Sequence, residues 1–182
     1  MHKETLYLKK LLLLSILIAI SFVLAKWQIP FFPPYSFLKF DLSEAPMIIA
    51  VLMYPELTII AALAYTALAY MIHDPVGATF KVVAVLSMIL PIGLGNYKAS
   101  AHKKHARFHI VLLVLGVASR IAIMIGANYY LIEMTHFWGN YSMPTIYYLV
   151  IIPLFNLGQA VLNIVVAYLT TLQLQKIMTG ES

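Results

Sequence analysis

Long apolar runs constrain this chain more than any other feature. Leu11 to Ala25 carries no polar side chain larger than serine, and mostly apolar stretches recur through Ile72, from Phe80 to Tyr97, from Ile110 to Leu131 and from Tyr147 to Ile177. A bilayer-spanning helix takes about 20 such residues, so six of them would use about 120 positions. Apolar residues reach 62% and charged residues fall to 10%, against about 45–50% and about 25% in a soluble domain. An ordinary water-soluble globule is excluded. The longest stretch outside the apolar segments runs only from Lys26 to Ser43, which leaves no room for a soluble catalytic domain. The expectation is an all-α membrane protein, a six-transmembrane-helix bundle forming one domain, with helices near 8–27, 44–54, 55–72, 80–97, 109–131 and 146–177. There are no cysteines, hence no disulfide and no thiolate chemistry.

The charge of +5 is an orientation signal. Cytoplasmic loops accumulate Lys and Arg. The segment from Lys98 to Arg107 holds four basic residues and no acid, and six crossings would put Lys3, Lys9, Lys10 and Lys176 on the same side. Both termini are then cytoplasmic. The basic run lacks interleaved aromatics, so nucleic acid is not an expected partner; the lipid bilayer is. Lys3, Lys9 and Lys10 ahead of an apolar run also resemble a cleavable leader, but Val23-Leu24-Ala25 lacks the small-x-small pattern, and a retained first helix anchored by Lys26-Trp27 is expected.

Between the first two helices, three prolines and several aromatics from Gln28 to Lys39 forbid a helix interior. Asp41 or Ser43 is the expected cap of a second helix that starts near Pro46. With the termini inside, this loop faces outward together with the 73–79 and 132–145 connections. Their aromatics, Phe31, Phe32, Tyr35, Phe37, His136, Phe137, Trp138 and Tyr141, form either a lid over an outward opening or an interfacial belt.

Polar groups within apolar helices are costly, and they mark function or helix pairing. Asn156, Gln159 and Asn163 recur at helical spacing on the last helix, and Asn128 is on the fifth. Their amides both donate and accept, which suits a neutral heteroaromatic ligand or interhelical bonding. Arg120 has no evident intramembrane acid and either lines a wet cavity or reaches backbone carbonyls. Lys81 is placed to meet a ligand or to pair with Asp74. Ser15 and Ala19, and again Ser21 and Ala25, are four apart and permit close helix approach, either inside the bundle or against a partner; Ala61, Ala64, Ala67 and Ala69 repeat the theme. No His-Glu-x-x-His, Gly-x-Ser-x-Gly or phosphate-binding Gly-x-x-x-x-Gly-Lys occurs, so no metal site, catalytic residue or bound nucleotide is expected.

Leu38-Lys39-Phe40-Asp41-Leu42-Ser43-Glu44-Ala45-Pro46, behind a proline and aromatic loop, resembles the signature of substrate-binding S components of energy-coupling factor (ECF) vitamin transporters, most closely the riboflavin-specific ones. Asn128-Tyr129-Tyr130 resembles that family's Asn-Tyr-Phe on the fifth helix. Pro153-Leu-Phe155-Asn156-Leu157-Gly158-Gln159 resembles its Pro-Phe-Asn-x-x-Lys on the sixth. Two departures stand out, Gln159 in place of Lys and Lys81 where Asn tends to follow Pro-x-Gly on the fourth helix. The resemblance implies a non-enzymatic binder that captures riboflavin as cargo at the outer face, with no other cofactor. It implies a separate transmembrane coupling subunit and two ATPase subunits in the cell membrane. The substrate site it implies comprises Asn128, Asn156, Gln159, Lys81, Asp41, Phe40, Tyr35 and Gly77, with Ser15 and Ala19 facing the coupling subunit. Alternatives are another vitamin or nucleobase-like solute, or, from a different class, a small intramembrane enzyme or a structural subunit.

Overall fold

The structure is a computed structural model that describes residues 2–31, 35–100, 106–134 and 143–179. Phe32, His136, Phe137, Trp138, Tyr141, Lys103 and Lys104 lie outside the described residues. Six α-helices occur among the described residues: α1 (His2–Leu24), α2 (Ala45–Met53), α3 (Thr58–Ile72), α4 (Pro75–Ser100), α5 (Ala106–Tyr129) and α6 (Ile152–Thr179). Five are long and apolar enough to cross a membrane. The exception is α2, whose nine residues extend about 14 Å at about 1.5 Å per residue, half of a hydrocarbon core of about 30 Å. The expected second span is therefore a half-length helix. It is buried from Ala45 to Val51, as befits a helix that is apolar all round.

The approach to α2 is a short two-stranded hairpin followed by a turn. Ile29–Pro30 (β1) pairs antiparallel with Lys39–Phe40 (β2) to close the hairpin between α1 and α2, and residues 41–44 then run down into the helices as a strap. Ser21 near the end of α1 donates to the Ser43 carbonyl, while Lys10 near its start pairs with Glu56 just beyond α2. The strap and the α2–α3 corner therefore mark opposite ends of the bundle. At the corner end, Asn96 of α4 donates to the Leu52 carbonyl at 3.2 Å, satisfying backbone that α2 leaves open at its last turn.

Helix α4 departs from expectation at both ends. It begins at Pro75 rather than near residue 80, because Asp74 Oδ1 accepts from the Val76 and Gly77 amides at 3.1 and 3.0 Å and caps it, with proline in the first turn. It also runs unbroken past Pro91, Gly93 and Gly95 to Ser100. Those glycines are notches for neighbours: a Cβ on Gly93 would lie 2.2 Å from Thr58 Oγ1 of α3. Helix α5 ends in a π-helical turn (Tyr130–Met134), and α6 is preceded by another (Tyr147–Ile151); these wide turns carry no sequence signal of their own.

Candidate ligand-binding site

The strap carries backbone polar groups through the interior of a membrane bundle, where no water satisfies them, so neighbouring side chains must. Two amides on successive turns of α6 do this. Gln159 accepts from the Asp41 amide at 3.2 Å and donates to the Asp41 carbonyl at 2.9 Å. Asn163 donates to the same carbonyl at 2.9 Å and accepts from the Ala45 amide at 2.9 Å. The first turn of α2 is thus served by Asn163 of another helix, not by the expected Asp41 or Ser43 cap. Asp41 Oδ1 instead accepts from the Ser43 amide and hydroxyl at 2.9 and 2.6 Å, tightening the strap on itself.

Four charges meet where the strap joins α2. Lys81 of α4 donates to both Asp41 oxygens at 3.1 and 2.9 Å and to Glu44 Oε1 at 2.8 Å. Arg120 of α5 grips Glu44 with Nη1 and Nη2 and donates from Nε to Asn156 Oδ1 at 3.0 Å. Two expectations are corrected here. Arg120 does have an intramembrane acid, Glu44, delivered by the strap rather than by a helix. Lys81 pairs with Asp41 and Glu44 rather than with Asp74, which is occupied as the α4 cap. Two cations and two anions leave the cluster formally neutral, and Glu44 and Arg120 are almost wholly buried.

Above this cluster lies a cavity of about 340 Å³, a size common to small-molecule sites. Asp41, Lys81, Arg120, Asn128 and Asn156 contribute polar lining, joined by Gln28, Lys39, His73 and Asp74; Phe37, Phe80, Met124, Tyr147, Ile152 and Phe155 supply apolar walls, with Gly77 at the α4 end. Asn128 donates to the Met124 carbonyl at 2.8 Å and accepts from the Tyr147 hydroxyl at 3.3 Å. The other sequence candidates are one layer out. Tyr35 stacks on Tyr147 with centroids 5.5 Å apart, Phe40 packs on Phe155 at 5.1 Å, and Gln159 is fully buried beneath Asp41. Of the outward aromatics, Phe37 reaches the cavity. At the mouth, His73 also lines the opening, where partial burial and the nearby Lys81 ammonium hold its imidazole below its ordinary range. Asp74 is held below the usual carboxylate range by the Gly77 amide it accepts from.

Sequence reasoning missed Glu44 as a site residue, along with Tyr147, Met124 and Phe155. Glu44 had a usable signal, since an arginine amid apolar helix demands an acid and Glu44 is in the Asp-Leu-Ser-Glu motif. The small residues of α1 divide cleanly. Ser21, which donates to the Ser43 carbonyl, and Ala25 just past the helix end are buried, whereas Ser15 and Ala19 are exposed on the bundle surface. On α3, Ala61 and Ala69 are buried and Ala67 is exposed.

Comparison with known proteins agrees with this architecture. Over 140 residues, 74% of this chain and 72% of the relative, the sequence is 36% identical to the riboflavin transporter FmnP of Bacillus subtilis (strain 168). Over 129 residues, 68% of this chain and 65% of the relative, it is 32% identical to the riboflavin transporter RibU of Staphylococcus aureus (strain TCH60). A solved structure of the S component of a bacterial ECF transporter superposes with a TM-score of 0.75 at 26% identity, covering 93% of this chain and 97% of that one. The sequence model of the family described as ECF transporter, substrate-specific component, matches residues 9–170. With that match across most of its length, the chain belongs to the substrate-specific components of ECF transporters.

Proposed function

We propose that this chain binds riboflavin at the outer face of the cell membrane and hands it to a transmembrane coupling subunit driven by two separate ATPase subunits. The observation that carries the reading is the cavity itself. The four charges of the cluster beside it cancel, which suits an uncharged ligand, and Asn128 and Asn156 offer donor and acceptor groups between aromatic walls suited to a flat heteroaromatic ring. The two riboflavin transporters among its relatives supply the ring's identity.

In this reading Asn128, Asn156 and Lys81 touch the ligand, Asp41 holds Lys81, and Gly77 keeps the α4 rim low. Phe40 and Tyr35 brace the aromatic wall, and Gln159 secures the strap. Titrating riboflavin into the purified protein tests it. Asn128→Leu and Asn156→Leu should each weaken binding by about 1–3 kcal/mol, about 5- to 150-fold, by leaving ligand groups unsatisfied; unchanged affinity in folded variants would remove these residues from the site.

The strap and α2 together make one crossing, which with five long helices gives six and puts both ends in the cytoplasm. Reporter fusions at Ser182 and between Lys103 and Arg107 should both read inside; an outside signal from either breaks the threading.

The two departures from the family pattern also fit together. Lys81 and Gln159 both donate to Glu44 Oε1, at 2.8 and 3.0 Å, so a cation delivered from α6 can meet the same oxygen. Gln159→Lys alone places a third cation in a neutral buried cluster and should weaken both folding and binding. Adding Lys81→Asn restores the balance. The double variant should bind riboflavin within about tenfold of the native protein, an allowance of about 1.4 kcal/mol; a double variant worse than Gln159→Lys alone would refute the exchange.

A further inference from the structure

The orientation of the Asn156 carboxamide is dictated at both ends. Arginine nitrogens only donate and a backbone carbonyl only accepts. The atom 3.0 Å from Arg120 Nε is therefore the amide oxygen, and the atom 3.0 Å from the Ile152 carbonyl is the amide nitrogen. Asn128 is anchored by one such partner, the Met124 carbonyl, while its oxygen meets the Tyr147 hydroxyl, which both donates and accepts. Asn156 is thus the more strictly fixed of the two. Among the described residues, the bond to the Ile152 carbonyl uses one of its two N–H groups, and the residue lines the cavity.

Arg120 is itself held in place. Glu44 takes its two terminal nitrogens, and Glu44 in turn is fixed by Lys81 at 2.8 Å and Gln159 at 3.0 Å. A planar guanidinium with three nitrogens can grip a carboxylate and still donate sideways from Nε; a lysine ammonium offers no such fork.

We propose that Arg120 is a positioning residue for ligand specificity: by taking the oxygen of Asn156 it turns the remaining amide N–H into the cavity, so that the site reads an acceptor on the ligand, a ring carbonyl or ring nitrogen, at that place. Arg120 acts through Asn156 and carries no net charge to the ligand, because Glu44 neutralises it. The inference deepens the riboflavin reading and rests on it, riboflavin having a ring edge of carbonyl and N–H groups.

A double-variant cycle on the purified full chain, read by riboflavin titration, tests this. Arg120→Lys keeps the charge opposite Glu44 but loses the side-on donor, and should weaken binding about tenfold, the scale of one hydrogen bond to a charged group. In the Asn156→Leu background the same change should alter affinity less than about twofold, because interacting residues are not additive. A role confined to stability would give equal losses in both backgrounds and would overturn the proposal.

Asn156→Asp supplies a second arm that does not depend on how Arg120→Lys folds. Aspartate still accepts from Arg120 but has no N–H to offer, so it should bind riboflavin as weakly as Asn156→Leu. Native affinity in Asn156→Asp would show that the N–H is not what the ligand meets, and would overturn the proposal. A native protein that takes up no riboflavin would instead overturn the function reading on which it rests.

Discussion

Glu44→Ala is expected to destabilise the protein by about 3–5 kcal/mol, the cost of leaving a buried charge without its partner. Arg120 is 1% exposed and Glu44 fully buried, so no water replaces the lost carboxylate. The strap loses at once a bond to Gln159, one to Lys81 and the grip of Arg120. Riboflavin binding should vanish with it, since Asn156 and Lys81 both take their placement from this cluster. Glu44→Leu combined with Arg120→Met removes both charges together, and replacing a buried pair by apolar groups of similar size is often neutral for stability. The double variant should therefore unfold close to the native temperature in detergent while binding weakly. A Glu44→Ala protein as stable as the native one would mean that the cluster does not hold the strap.

A second large effect is expected far from the cavity. Ser15 and Ala19 are exposed on α1, and Ser15 spends its hydroxyl on the Leu11 carbonyl of its own helix. Neither is needed inside the bundle. In a membrane, close helix approach depends on small residues, and a bulky one separates the backbones and forfeits dispersion contacts along the whole crossing. In cells that supply the coupling subunit and ATPases, Ser15→Trp and Ala19→Trp should abolish riboflavin uptake, while the isolated variants keep native affinity. Ser21→Trp provides the contrast: Ser21 is buried against Ser43, so its loss should damage folding and binding together. Normal uptake by both exposed-face variants would move the docking surface elsewhere, with Ala67 on α3 as the exposed small residue to try next.

The long helices were legible because hydropathy and length alone decide which segments can cross a bilayer, and five of them appear close to where the apolar runs lie. The second helix is found at Ala45–Met53 against an expected 44–54; what the sequence could not show is the tertiary support of the approach to it. Residues 41–44 enter the helix through a bend and a turn, and the Asp41 backbone groups are taken up by Gln159 and Asn163, more than a hundred positions away. The polar stripe on the last helix was visible, but spacing could not say that Asn156 turns to the cavity while Gln159 and Asn163 clamp the strap. The fourth helix is expected from residue 80 but starts at Pro75, because the Asp74 side chain caps it, a bond that apolar periodicity does not reveal. Glu44 looked like an acid at a helix start, a common and unremarkable place for one. Its partner Arg120 is 76 positions later, so the one clue in the sequence is that an arginine within an apolar helix demands an acid somewhere.

The most direct measurement is the mass and absorbance spectrum of small molecules released from the full chain purified in detergent from cells grown with riboflavin. The account predicts a yellow eluate with a flavin absorbance spectrum and the mass of riboflavin, lost in Asn128→Leu and Asn156→Leu. A folded native protein that releases a different vitamin, or that releases no flavin and fails to bind riboflavin on titration, would contradict it.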